Sequence, residues 1–85
     1  MEVRFSELAI AGLGQLFEEE SRRISIQKHI ALSLRIDATL NAIRFEATGL
    51  SDFWLRPFFA GFDVRVLFEV KTEVTVWSIS RASPR

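Results

Sequence analysis

The 85-residue chain contains no cysteine and only one histidine, His29. Without thiols it can form neither a disulfide framework nor a thiolate metal site, so a zinc-stapled fold would depend on His29 alone. We therefore expect no metal or other cofactor, and a protein of the reducing cytoplasm. The sequence also lacks a signal-peptide pattern and an apolar run of the roughly 20 residues that span a bilayer. We expect a mature, soluble protein with no membrane partner.

The chain also lacks net charge, because 11 Lys and Arg residues balance 11 Asp and Glu residues. A neutral chain has no long-range field that would attract nucleic acid. The balance is uneven along the chain, however: it is −4 over residues 1–20, +4 over 21–45, −2 over 46–63 and +2 over 64–85. Local basic surface can therefore still form on a neutral molecule.

The length predicts a single domain over residues 1–85. A chain of this size buries only about 60–65% of the surface of its unfolded state, so most of its apolar residues are needed for one core. Val3 and Phe5 alternate with Arg4 and predict a short strand. Ser6 is a suitable N-cap for the helix that follows, in which apolar residues recur at helical spacing.

The segment from Ser21 onward has two conflicting periods. Ser21 can cap a second helix, in which Ile26, Ile30 and Leu34 would share one face. Residues 30–36 also alternate between apolar and other side chains, as in a strand. We favour a helix because the segment contains neither Gly nor Pro, and because the three-and-four spacing continues to Ile43. Gly49 is expected to close this helical half of the chain.

Residues after Asp52 predict a sheet. Three β-rich segments cover 53–59, 62–70 and 74–80, and Pro57 in the first of them indicates an edge or a bulge. The predicted fold class is α+β: a short N-terminal strand, then two helices packed on one face of a small antiparallel sheet that ends in a three-stranded meander.

Turn positions predict which side chains share a face of that sheet. A two-residue turn at Ala60 and Gly61 places Phe59 opposite Phe62 and Arg56 opposite Arg65. A turn around Thr72 places Leu67 opposite Trp77, Arg65 opposite Ile79 and Asp63 opposite Arg81. The helix-covered face would then hold Leu55, Phe59, Phe62, Val64, Val66, Phe68, Val70, Val74 and Val76. The uncovered face would hold Trp54, Arg56, Phe58, Asp63, Arg65, Leu67, Trp77, Ile79 and Arg81.

Three arginines among aromatic residues on one face allow two interpretations. Asp63, Glu69 or Glu73 can bridge the guanidinium groups in a structural network. Alternatively, the guanidinium groups bind phosphate while Trp54 or Trp77 stacks on a base. A one-residue error in either turn would move the partners to opposite faces.

Five segments of the chain resemble the RelE/ParE toxin superfamily of bacterial type II toxin–antitoxin pairs. They are FS at 5–6, GLSD at 49–52, LR at 55–56, VRVLFEV at 64–70 and VTVWSISR at 74–81. The most specific piece is an arginine, two hydrophobic residues and an aromatic residue at 65–68. This resemblance implies a toxin that is held inactive by a cognate antitoxin.

The resemblance also implies residue roles. Arg65 matches the strand arginine that contacts the scissile phosphate, Arg56 falls near a basic position of the preceding strand, and Arg81 lies near the basic cluster after the last strand. In a metal-independent, ribosome-dependent mRNA interferase, Arg65 and Arg56 would clamp the phosphate. Arg81 would stabilise charge on the leaving oxygen. On the separate argument from the shared sheet face, Trp54 and Trp77 would bind the RNA together with Arg56.

The sequence departs from this pattern because it has no Tyr and no His in the predicted sheet, so no general base is identifiable. Three functions stay open. The first is translation inhibition by mRNA binding or cleavage at the ribosome. The second is non-enzymatic inhibition of DNA gyrase, as in ParE-like members. The third is a non-toxic interaction domain that binds a peptide or forms a homodimer.

Overall fold

The computed structural model describes residues 1–45, 52–59 and 61–82. Within these ranges the chain forms two helices and five strands. In chain order they are β1 (Val3–Phe5), α1 (Glu7–Leu16), α2 (Glu20–Asp37), β2 (Ile43–Arg44), β3 (Phe53–Phe58), β4 (Val64–Val70) and β5 (Val74–Arg81). Neither helix in the described part of the chain is long and apolar enough to cross a membrane.

The five strands form one sheet in the order β1-β5-β4-β3-β2, with both helices on one of its faces. We call the helix-covered side the helix face and the other side the open face. The predicted α+β class and the β3-β4-β5 meander are confirmed. The sheet is mixed, because β1 pairs with β5 in parallel.

The sequence analysis did not predict β2, which pairs with Trp54 and Leu55. Pro57 therefore lies beyond the end of β2, on a stretch of β3 that has β4 as its only neighbour among the described strands.

Helix α1 begins at the predicted cap. The Ser6 hydroxyl accepts a hydrogen bond from the Ala9 N–H at 3.1 Å, and donates to the Trp77 carbonyl of β5 at 2.9 Å. The Ser6 N–H also donates to the Val76 carbonyl at 2.9 Å. One residue thus satisfies an orphan donor of the helix and joins the helix start to the sheet.

The helical interpretation of residues 24–36 is confirmed, since Ile26, Ile30 and Leu34 lie on the buried face of α2. The helix begins at Glu20, so Ser21 does not cap it. It ends at Asp37, earlier than predicted. Asn41 adopts a left-handed conformation with φ of 60°, which turns the chain into β2. Gly49 lies outside the described residues.

The predicted register between β3 and β4 is wrong by one residue. Phe58 pairs with Val64 and Pro57 with Arg65, so five residues rather than two separate the strands. Gly61, at φ of 81°, belongs to this loop, and its carbonyl accepts a hydrogen bond from Arg22 of α2 at 3.0 Å. This longer loop moves every side chain of β3 to the face opposite to the predicted one.

The predicted register between β4 and β5 is correct only near the turn. Val70 pairs with Val74 and Phe68 with Val76, as predicted. Leu67 then pairs with Ser78, which leaves Trp77 as the extra residue of a β-bulge. Beyond the bulge the faces of β5 are exchanged, so Ile79 is buried with the core at 5% exposure.

The core lies between the helices and the helix face. Its buried members from the sheet and the following loop are Phe58, Phe62, Val64, Val66, Phe68, Val74, Val76 and Ile79, and those from the helices are Ala9, Leu13, Ile26, Ile30 and Leu34. The predicted core positions of Leu55 and Phe59 are wrong, because both residues lie on the open face, where Phe59 is 62% exposed.

Gly12 lets α1 contact the backbone of β5 directly. A Cβ atom at Gly12 would lie 2.5 Å from the Ile79 carbonyl oxygen, whereas a Cβ atom at Gly14 would meet nothing within 4 Å.

We therefore expect opposite effects from the same change at these two glycines. Gly12→Ala should lower the free energy of unfolding by about 1–3 kcal/mol, because α1 must move away from β5. Gly14→Ala should raise it by up to about 1 kcal/mol, because alanine favours a helix. Urea denaturation of both variants measures the difference, and equal effects would contradict the close approach of α1.

Candidate functional site

The three arginines that were predicted to share the open face do not lie together. Arg65 lies there and is exposed, opposite Pro57 on β3 and Ser80 on β5. Arg56 pairs with Val66 and is on the helix face, and Arg81 pairs with Val64, whose side chain is in the core. The prediction of a three-arginine cluster is thus wrong. Of these three arginines, Arg65 alone lies on the open face.

Arg56 is a buried structural residue. It is 8% exposed, and its Nη1 donates hydrogen bonds to the carbonyls of Asp37 at 2.6 Å and Ala38 at 3.2 Å, at the end of α2. Its guanidinium also lies 4.8 Å from the centre of the Phe58 ring. Burial lowers the pKa of Arg56, and the nearby Asp37 carboxylate partly opposes this shift. In this position Arg56 cannot clamp a phosphate together with Arg65.

Arg81 is exposed but follows the bulge in β5. The bulge pairs it with Val64 instead of Asp63, so the predicted pairing of Asp63 with Arg81 is wrong. By strand alternation its side chain leaves the sheet on the side opposite to Arg65. Arg81 and Arg65 are therefore separated by the sheet itself.

The two tryptophans also lie on different faces. Trp54 pairs with Phe68 on the helix face and packs against the core, while Arg44 lies 5.4 Å from the centre of its ring. Trp77 is 41% exposed at the bulge, and its indole N–H donates to the Glu69 carboxylate at 3.0 Å. That hydrogen bond, together with Lys71, lowers the pKa of Glu69. The Glu69 contact thus fixes the Trp77 ring.

The open face carries an apolar groove beside Arg65. The groove has a volume of about 300 Å³ and is lined by Ile43, Leu55, Pro57, Phe59, Arg65 and Ala82. Ile43 and Phe59 are 70% and 62% exposed. Within the described part of the chain, the Arg65 side chain makes no hydrogen bond or ion pair. Sequence analysis placed Arg65 correctly, but it missed the groove because β3 was assigned the opposite facing.

Several other arginines are engaged with backbone or acidic groups. Arg23 donates to the carbonyls of Phe17 at 2.8 Å and Glu18 at 2.7 Å, where the chain passes from α1 to α2. Arg4 pairs with Glu73 at 3.0 Å. These contacts, with those of Arg22 and Arg56, use basic residues to hold the fold together.

Helix α2 presents a second apolar surface, on the side away from the core. Ile24, Leu32 and Ile36 are 46%, 55% and 75% exposed, and exposed Lys28 and Arg35 lie among them. We call these five residues the α2 outer stripe. Residues 21–36 contain no acid, so the stripe is both apolar and basic. The spacing of Leu32 and Ile36 was used in the sequence analysis as evidence for a helix, but no exposed apolar surface was predicted from it.

A cavity of about 550 Å³ lies on the helix side and is lined by Ser21, Arg22, Ser25, Ile26, His29, Gly61 and Phe62. His29 is exposed there, and the centre of its ring lies 5.5 Å from that of Phe62 and 6.0 Å from that of Phe58. The sheet therefore separates this imidazole from Arg65. No cluster of acidic and histidine residues suited to a metal ion occurs in the ranges that the structure describes.

A structural role for Arg56 predicts a stability defect on its removal. Arg56→Met should lower the free energy of unfolding by about 2 kcal/mol, because the Asp37 and Ala38 carbonyls lose their donor in a partly buried site. Arg35→Gln, which removes an exposed arginine of the same helix side, should change it by less than about 0.5 kcal/mol. Urea titrations monitored by circular dichroism compare the two, and an Arg56→Met protein as stable as the parent would contradict this role.

Comparison with known proteins supports the fold. Protein-family models give no match, and curated protein sequences give no significant match. Among solved structures, the chain is similar to a chain of the RelBE2 toxin–antitoxin complex from Mycobacterium tuberculosis. The TM-score is 0.72 at 16% identity, over 95% of this chain and 96% of that one. At this identity the likeness concerns the fold alone, and it agrees with the fold that the sequence resemblance implied.

Proposed function

We propose that the chain is the toxin of a type II toxin–antitoxin pair. The observation that carries this proposal is the RelE-type fold over nearly its whole length, shared with a toxin–antitoxin complex at a TM-score of 0.72. The open face supports it as well, since an exposed arginine beside an apolar groove provides a surface for a target.

The toxin acts by binding its target rather than by cleaving RNA. Stabilising a phosphorane needs several preorganised cations, and of the three predicted arginines only Arg65 is on the open face. General acid–base catalysis needs a proton-transfer group within hydrogen-bond reach, but His29 lies across the sheet from Arg65 and the sequence has no tyrosine. Both observations favour the non-enzymatic alternative, of which gyrase inhibition is the example that the resemblance supplies.

Ribosome-dependent mRNA cleavage in the cytoplasm is the second candidate. It is favoured by one observation, that Arg65 is exposed and unpaired among the described residues. The resemblance assigns the phosphate contact to this same position. In this alternative the ribosome would have to supply the other catalytic groups, because Arg56 and Arg81 lie on the opposite side of the sheet from Arg65.

The antitoxin covers the α2 outer stripe. Its three exposed apolar side chains would be buried by an amphipathic partner, and its two cations favour a partner segment rich in Asp and Glu. A second copy of the chain that docked through the same stripe would place Lys28 and Arg35 against their own counterparts. The charge of the stripe therefore favours an acidic antitoxin segment over a homodimer.

Induced expression of the chain should arrest growth, and co-expression of the protein encoded next to it should relieve the arrest. Arg65→Gln should weaken the arrest, whereas Arg35→Gln, the matched change on α2, should leave it intact. Transcript mapping and a DNA supercoiling assay then separate the mechanisms. Intact transcripts are expected, cleaved transcripts at ribosomes would support the second candidate, and unimpaired growth would reject a toxin.

Substitution in the α2 outer stripe should weaken antitoxin binding. Leu32→Glu introduces a carboxylate among apolar contacts and should raise the dissociation constant at least tenfold, about 1.4 kcal/mol. Leu8→Glu makes the same change at an exposed leucine of α1, 68% exposed, and should have little effect. Calorimetric titration with the purified antitoxin compares the two. Equal affinities of the two variants for the antitoxin would contradict binding at the α2 outer stripe. A stable homodimer of the parent chain in light scattering would contradict it as well.

A further inference from the structure

The groove on the open face combines one guanidinium with aliphatic walls. Ile43, Leu55 and Pro57 form the apolar side, Phe59 closes one end, and Arg65 stands opposite Pro57. A cation in such surroundings gains most from a partner that supplies one negative charge and otherwise apolar surface.

The charges around the groove argue against a polyanion as its occupant. Proteins that bind single-stranded nucleic acid line a groove with repeated cations and stack bases on aromatic rings. Among the described residues that line the groove, Arg65 is the one basic residue, and Lys71, beyond the other end of β4, is paired with Glu69 at 3.1 Å. Trp77 donates a hydrogen bond to Glu69 and lies outside the groove. It lines a separate cavity together with Arg4, Phe5, Ser6 and Thr75.

We propose that the groove binds an extended peptide segment in which one carboxylate is flanked by apolar side chains. The guanidinium fork of Arg65 can hold the carboxylate through two parallel hydrogen bonds. Alternate side chains of an extended segment point the same way about 7 Å apart, so apolar side chains two positions before and after that carboxylate fall on the aliphatic walls. The inference rests on the proposed function, since it identifies the target of the toxin as a protein surface rather than RNA.

The walls of the groove come from three strands and from the segment that follows β5. Ile43 belongs to β2, Leu55 and Pro57 to β3, and Arg65 to β4, while Ala82 is fixed by a hydrogen bond from its N–H to the Asp63 carbonyl at 3.0 Å. Regular backbone pairing holds these positions, so the groove is preformed and a ligand pays little ordering cost.

The test uses the full chain labelled with ¹⁵N and two capped peptide amides. One peptide carries a glutamate with a leucine two residues before it and a leucine two residues after it, and the other carries glutamine in place of the glutamate. A uridine tetranucleotide serves as the nucleic-acid probe. The glutamate peptide should shift the backbone signals of Leu55 and Arg65, and should bind about tenfold or more tightly than the glutamine peptide. The tetranucleotide should bind more weakly than the glutamate peptide.

Matched variants test whether the peptides bind in the groove. Arg65→Gln should remove the preference for glutamate, because the remaining apolar walls do not distinguish the two peptides. Phe59→Ser should weaken the binding of both peptides, and Arg81→Gln, at an exposed arginine on the other side of the sheet, should change the binding of neither. All three side chains are exposed, so the variants should keep the parent melting temperature.

The proposal is overturned if the two peptides bind equally, if neither binds, or if the tetranucleotide binds more tightly. These results are independent of growth arrest. A chain that arrests growth but ignores the glutamate peptide is a toxin with a different target chemistry. A chain that binds the peptide through Arg65 without arresting growth contradicts the toxin assignment and leaves the groove specificity standing.

Discussion

The start of α1 is fastened to the bulge of β5 through one residue, and the facing of the last strand depends on this contact. Ser6 donates to the carbonyls of Val76, the last residue before the bulge, and Trp77, the bulged residue, and its hydroxyl also caps α1. The bulge directs Ile79 into the core, where it meets the close approach of Gly12. Without the extra residue, Ile79 would face solvent and Arg81 would join Arg65. The hydrogen bonds of a single serine thus hold together the arrangement that divides the two arginines.

Arginine serves two unlike purposes in this molecule. Arg22, Arg23 and Arg56 donate to main-chain carbonyls at helix ends and in loops, where an always-charged, five-donor group can satisfy acceptors that regular structure leaves over. These residues count toward the basic total of the sequence without offering charge to a partner. On the open face, Arg4 and Lys71 are paired with Glu73 and Glu69, and the groove beside Arg65 is mostly apolar.

The kinds of element were predictable from the sequence, whereas their facing was not. The long helix follows from spacing that persists where strand alternation stops, and the meander follows from β-branched and aromatic segments between turn residues. The face on which a side chain lies depends on whether its position along the strand is odd or even, and one inserted residue changes this parity. The Gly61 loop and the Trp77 bulge each alter it, and their contacts come from distant segments: Arg22 of α2 donates to the Gly61 carbonyl, and Ser6 before α1 donates to the Trp77 carbonyl. For the candidate site this meant that Arg65 was placed correctly, while Arg56, Trp54 and Arg81 were not.

The parallel pairing of β1 with β5 joins parts of the chain that are about 70 residues apart, Val3 with Val74. Contacts of such separation form late, because the intervening loop must first be closed. On the ribosome, β1 has no partner until β5 has emerged, and the acceptors of Ser6 at Val76 and Trp77 emerge with it. The nascent chain therefore spends most of its synthesis with the apolar surface of α1 uncovered, and completion of the sheet coincides with completion of almost the whole fold.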